Sequence, residues 1–219
     1  MRSPCFFYGV LFGLASWVPA VAGEVPAGHG NTAGAPHVLA VGLKAGVGLP
    51  QLNSALQTSF HVQIEGLYLA PFWGSRLGVV TTLGYSQPGA SGSEQDARLP
   101  AGEYSWEMTQ RQTTWDLGVL FRLMEWRSDW NVGFSAGHRL LFLSTLTDGQ
   151  ADGEPFGQHD EKATLPGFFL AVQGEYALGP GRMTAEISLA GTMQDLYTTG
   201  DVAVLDLGIL LGYRFDFEI

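Results

Sequence analysis

The chain has 219 residues, 11 basic against 21 acidic side chains, a formal net charge of −10 and a single cysteine. That balance excludes nucleic acid as a partner, because phosphate binding needs a basic footprint. Charged residues make up 15% of the chain and glycine contributes 30 residues. The chain is therefore apolar for a soluble domain, which is about a quarter charged, yet it has no long internal apolar run.

The start reads MRSPCFFYGVLFGLASWVPAVAGEV. Arg2 gives a short positive region, Phe6 to Val18 an apolar core, and Ala20-Val21-Ala22 a small-x-small cleavage site. Residues 1–22 are read as a signal peptide, with Gly23 as the first mature residue. An uncleaved anchor helix is the alternative, but the stretch is shorter than the ~20 residues a span needs. Cys5 lies inside the leader, so the mature chain is expected to hold no disulfide, thiolate nucleophile or cysteine metal site. Residues 23–37 are rich in small residues, Pro and Gly and read as a flexible lead-in.

From Val38 onward, apolar residues recur at every second position and no stretch keeps a helical period. The first strand, 38–49, sets Leu39, Val41, Leu43, Val47 and Leu49 against Ala40, Gly42, Lys44, Gly46 and Gly48. The second, 60–72, sets Phe60, Val62, Ile64 and Tyr68 against His61, Gln63 and Glu65. The third covers 77–85 and the fourth 110–125, with Trp115, Leu117, Val119 and Phe121 opposed to Thr114, Asp116, Gly118 and Arg122. The fifth covers 130–145, the sixth 165–178 and the seventh 183–194. The eighth runs from about 202 to the end, as VAVLDLGILLGYRFDFEI.

Short connections at 73–76, 126–129 and 179–182 alternate with long ones at 50–59, 86–109, 146–164 and 195–201. That order fits an up-and-down meander with turns on one rim and loops on the other. One face carries Leu, Val, Phe and Ile. The other carries Gly, Ala, Ser, Thr and isolated charges. A small ring has room inside for small residues and a few charges, while a bulky apolar band fits outside against lipid. Trp73, Trp126 and Trp130 flank the short turns, and Tyr85, Tyr104 and Trp106 lie near the opposite rim. These are expected to form interfacial aromatic belts. In lipid every backbone polar group must be paired, which only a closed ring achieves. The terminal strand is then a seam that pairs with the first strand.

The signal peptide, the eight alternating strands, the turn-and-loop order and the terminal Tyr213-Arg214-Phe215-Asp216-Phe217-Glu218-Ile219 together resemble the small outer-membrane β-barrel proteins of Gram-negative bacteria, the OmpA/OmpX-like group. The resemblance covers residues 38–219. It implies an all-β, closed, eight-stranded antiparallel transmembrane barrel in the cell outer membrane, with outer-membrane lipid and the barrel-assembly machinery as partners. The aromatic C-terminus resembles the signal that machinery reads, although that group usually ends in Phe where this chain has Ile219. No peptidoglycan-binding domain is read after the barrel.

The inward charges are ranked by height along the strands. Arg122, Glu175, Glu186, Arg214 and Asp216 fall near the short turns, Lys44, Glu65, Asp116 and Arg139 nearer the middle, and Asp206 close to the loops. Both signs at similar levels in a narrow interior predict an ion-pair network that fills the lumen. An eight-stranded ring encloses room for side chains only, which argues against a wide channel.

Chemistry is sparse. His138 lies on the lipid-facing side of the fifth strand, where barrel enzymes that modify lipid A place a His with Ser and an acid. Ala136 and Leu140 flank it instead. His61 and Glu65 are four residues apart along a strand, about 13 Å, which is too far for an acid–base pair. The acidic stretches 148–154 and 159–161 lack EF-hand spacing and read as solvated loop. No catalytic, cofactor or metal residue is assigned. The leading expectation is a non-enzymatic surface scaffold. The alternatives are a lipid-modifying enzyme, a narrow small-solute pore and a soluble lipocalin-like binder.

Overall fold

The computed structural model describes residues 35–50, 56–95, 103–151, 154–192 and 205–219. The expected signal peptide with Cys5, most of the lead-in, the loop at 195–201 and the expected strand residues 193–194 and 202–204 lie outside the described residues.

Every regular element among the described residues is a strand. They are β1 (Val38–Pro50), β2 (Ser59–Leu69), β3 (Leu77–Ser86), β4 (Gly89–Gln95), β5 (Glu103–Arg122), β6 (Trp130–Ala151), β7 (Glu154–Leu178), β8 (Gly181–Thr192) and β9 (Leu205–Glu218). All neighbours are antiparallel, in the order β3-β2-β1-β9-β8-β7-β6-β5, and a β3–β5 pairing closes the ring at eight strands. β1 and β9 pair from Val38↔Glu218 to Pro50↔Asp206. Beyond them the backbone N–H of Ile219 donates to the His37 carbonyl, 3.0 Å away. The C-terminal strand is thus held to its last residue, because it supplies the hydrogen bonds that leave the barrel without an edge.

The pleat separates the two faces cleanly. On β1, Leu39, Val41 and Leu43 are 44%, 54% and 61% exposed, while Ala40 and Lys44 on the opposite parity are each 2% exposed. The exposed set continues around the ring through Ile64, Val79, Leu117, Val119, Phe134, Leu170, Val172, Ile187, Ile209 and Leu211. The interior is polar, with a small apolar cluster of Val38, Ala40, Leu67, Leu69, Val80, Leu120, Trp126, Phe169 and Ala190. At the tight β2–β3 turn, Trp73, Gly74 and Ser75 all adopt positive φ (50°, 72° and 56°). Glycine takes that conformation without a Cβ penalty, and the Ser75 hydroxyl donates to the Pro36 carbonyl at 2.7 Å.

Two expected loops are corrected. Residues 86–109 contain β4 and the first part of β5, and 146–164 are mostly strand, forming the β6–β7 hairpin whose last pair is Ala151↔Glu154. β5, β6 and β7 run for 20, 22 and 25 residues, about twice the 9–11 a bilayer crossing needs. The surplus stands above the ring as a four-stranded flange, with β4 laid along β5 from Gly89↔Thr109 to Gln95↔Glu103. Pro88 follows the end of β3 and precedes β4; lacking an N–H, it cannot donate to a ladder there. The flange escaped the sequence reading because both of its faces are wet. Backbone pairing continues there while the apolar alternation that marks strands stops.

Candidate functional site

The barrel interior gathers the molecule's buried charges, and alternation explains why they meet. Each lies on the inward parity of its strand, and small residues opposite leave room for long side chains. Gly42 pairs with Arg214 across the β1–β9 seam. A Cβ on Gly42 would sit 3.2 Å from the Arg214 Cβ and 3.3 Å from its Cγ, so the glycine clears the way for the guanidinium.

Arg214 is the hub near the short-turn end. Its Nη1 lies 3.3 Å from Glu65 Oε1, its Nη2 3.0 Å from Glu175 Oε1 and its Nε 3.1 Å from Asp216 Oδ1. Arg122 reaches the other Glu175 oxygen at 2.5 Å, and Arg182 approaches Asp216 at 3.4 Å. One level up, Lys44 pairs with Glu65 and with Glu186, the latter at 2.5 Å. Glu65 therefore joins the Lys44 group to the Arg214 group. Nearer the loops, Arg139 donates in bidentate fashion to Asp116, Nε to Oδ1 and Nη2 to Oδ2, both at 2.7 Å. Asp206 lies 4.0 Å from Arg139, and the Thr82 hydroxyl donates to Asp116 at 3.1 Å. Above them Ser86, Gln112, Gln110 and Thr145 form a neutral hydrogen-bonded chain.

Charge removed from water is costly unless its partners and hydrogen bonds replace the lost solvation. Here each cation faces at least one carboxylate, and the planar arginine fork satisfies several at once. A cavity of about 10 Å³ lies beside Gln112, Thr114, Arg139 and Asp206, roughly the room one water needs. Gln112, Thr114 and Arg139 beside it are themselves buried. Replacing Arg139 by Lys is expected to cost about 1–2 kcal/mol through loss of the bidentate geometry, measured as a lower urea midpoint in lipid vesicles.

Several sequence expectations are relocated. Glu186 stands with Lys44, not at the short turns, because the β8–β9–β1 register carries it across Leu210 to Gly46, two residues past Lys44. Tilted strands shift inward residues relative to one another in this way. Arg182, expected in a turn, is a buried member of the group.

The expected aromatic belt divides. Trp73, Trp130 and Tyr85 are exposed outward. Trp126 is not in a belt. It is 7% exposed and closes the short-turn mouth, with Arg182 over its ring at 4.7 Å and Arg122 at 5.3 Å. Its indole N–H donates to Glu218 at 3.1 Å, and its carbonyl accepts from Arg182. It sits in a turn, where strand parity says nothing about direction. Trp106 is also misplaced in a belt. An unbroken β5 gives it the inward parity of Asp116, and it packs across Gly92 in the flange. An outward aromatic that the belt reading omitted is Trp115, whose indole donates to the Thr81 hydroxyl at 3.0 Å. Trp126→Phe is expected to cost about 1 kcal/mol by removing the Glu218 hydrogen bond, read as an earlier thermal loss of the compact band on gels.

His138 faces outward, between Leu117 and Phe168 on the neighbouring strands, with neither a hydroxyl nor an acid directly opposite it. His61 is buried and contacts Gln63 at 3.3 Å. Among the described residues no group of three His, Asp or Glu side chains is arranged to hold a metal. The flange carries an open trough of about 830 Å³. Two registered rows line it, Ser91–Glu107–Asp148–Gln158 and Ser93–Ser105–Gln150–Pro155.

No protein-family model matches the sequence, and no curated protein matches it. Solved structures do. A major outer membrane protein from Thermus thermophilus is 17% identical, with 82% of this chain and 99% of that one covered and a TM-score of 0.55. Ail, the attachment invasion locus protein of Yersinia pestis, in complex with the heparin analogue sucrose octasulfate, is 12% identical over 82% and 99% at a TM-score of 0.45. The N-terminal β-barrel domain of Pseudomonas aeruginosa OprF is 12% identical over 80% and 97% at 0.36. At 17% identity the likeness to the Thermus protein is one of fold, and it places this chain among the closed eight-stranded antiparallel barrels of the outer-membrane type.

Proposed function

We propose that the protein is an integral outer-membrane scaffold. In this reading residues 1–22 direct export and are cleaved, the barrel-assembly machinery inserts the ring, and the flange of β4–β7 faces outward as a surface for interaction. The observation that carries it is the reversed polarity of the barrel. Exposed Leu, Val, Phe and Ile circle the outside while Lys44, Arg122, Arg139 and Arg214 are buried with their carboxylates inside. Water would reject the first arrangement over so large an area, and lipid favours it. The trough on the flange offers hydroxyls, amides and two carboxylates to a surface ligand.

Cell fractionation with a heat-modifiability gel tests this. A band in the outer-membrane fraction that shifts on boiling is the expected result. Protein that stays soluble without detergent would reject it in favour of a lipocalin-like binder. The filled lumen supports a barrel without steady conductance, so planar bilayers are expected to show no open-channel current. A non-enzymatic role fits the apolar surroundings of His138. His138→Ala is expected to leave the lipid A profile of whole cells unchanged by mass spectrometry, and an altered profile would favour the lipid-modifying alternative.

A further inference from the structure

The outside of β5–β7 is layered by charge. Rising along these strands toward the loops, the outward rows are Trp115–Leu140–Pro166, then Thr113–Phe142–Thr164, then Arg111–Ser144–Lys162, then Thr109–Leu146–Asp160, then Glu107–Asp148–Gln158. Each row is in register across the three strands. The continuous apolar band therefore ends on Phe142, two cations flank Ser144 immediately above it, and beyond them Leu146 stands isolated in the row where the acids begin. The remaining described cations lie elsewhere. Lys44, Arg122, Arg139, Arg182 and Arg214 are buried in the lumen, and Arg76 and Arg127 pair with Glu125 and Glu218 at the short-turn end. In a chain this acidic, the two outward cations among the described residues of the loop half stand in one row.

We propose that Arg111, Ser144 and Lys162 bind the phosphate of a membrane lipid whose acyl chains lie against Trp115, Leu140 and Phe142. Adjacent strands are about 4.8 Å apart, so the two cations stand about 10 Å apart at the backbone. Their side chains are long enough to converge on a phosphate seated over Ser144, whose hydroxyl is a third donor. Lys162 has a competing partner in Asp160 at 3.7 Å, but both are well exposed, at 76% and 54%, and such a pair is weak. Glu107 and Asp148 lie two rows higher, where they repel an anion from the flange and favour its seat below. Continuity with the lipid-facing band selects an acylated phosphate over a free one. The inference rests on the reading of the barrel as lipid-embedded.

The test uses the full-length protein refolded in uncharged detergent and titrated with bisphosphorylated lipid A, its dephosphorylated form and inorganic phosphate, followed by tryptophan fluorescence. R111Q/K162Q is expected to weaken lipid A binding by about 30-fold, the combined effect of two cations at an anionic surface. Dephosphorylated lipid A is expected to bind wild type as weakly as the variant. R76Q/R127Q removes the same charge from the opposite end and is expected to leave affinity unchanged. Equal binding by wild type and R111Q/K162Q, an equal loss in R76Q/R127Q, or full competition by millimolar inorganic phosphate would each overturn the proposal. If folded wild type shows no association with lipid or detergent, the membrane reading falls with it; a heat-modifiable barrel indifferent to the phosphates defeats this inference alone.

Discussion

Arg214→Met is expected to destabilise the barrel by about 3–5 kcal/mol, the range for removing one member of a buried ionic group. Arg214 is 0% exposed and lies within 3.3 Å of carboxylate oxygens on Glu65, Glu175 and Asp216. Methionine fills part of the space but leaves those three carboxylates with Lys44, Arg122 and Arg182 alone. Urea unfolding in lipid vesicles, followed by tryptophan fluorescence, measures the loss. Arg214→Lys keeps the charge without the three-way fork and is expected to fall between wild type and Arg214→Met. Adding Glu65→Gln to Arg214→Met should recover part of the stability, because it removes one of the stranded charges. Strict additivity of the two would mean that the pair is not coupled. A variant as stable as wild type would show that the lumen is hydrated enough to solvate its own charges.

Leu211→Arg is expected to cost about 2–4 kcal/mol, the range for arginine at the midplane of a barrel's lipid face. Leu211 is 67% exposed, so the same change on a soluble protein would be close to neutral. It pairs with Ala185 and Ala45 in the middle of β8–β9–β1, far from either rim and from any interfacial anchor for the charge. The heat-modifiable fraction after refolding into vesicles reads the effect. Unchanged folding would mean that lipid does not cover this face. Together the two variants ask opposite questions of neighbouring residues in β9, one about charge removed from the inside and one about charge added to the outside.

Much of this architecture is local and was legible in the chain. Alternation decides which face each residue joins, so the parity of Lys44, Glu65, Asp116, Arg122, Arg139 and Arg214 could be read directly from their apolar neighbours. The closing role of β9 followed from the same argument, since an amphipathic terminal strand in lipid needs a partner. What alternation carries is a choice between two sides; it holds no information about height. The meeting of Glu186 with Lys44 depended on strand tilt and on the β8–β9–β1 register, which are properties of the closed ring.

Where one face ceased to be apolar the signal disappeared. The flange formed by β4 and the upper parts of β5–β7 has water on both sides, so its sequence resembles loop although its backbone is paired. Trp126 escaped for another reason: a residue in a turn has no parity, and only the assembled mouth, with Arg122 and Arg182 beside the ring, turns it inward. Sequence alone determined the fold class, the strand count of the ring and the division between greasy and charged faces, because these follow from a two-residue repeat and the need to pair every backbone group. Tertiary structure decided which charges touch, how far the strands rise beyond the ring and what seals its lower end, because those depend on register and closure between strands distant in the chain.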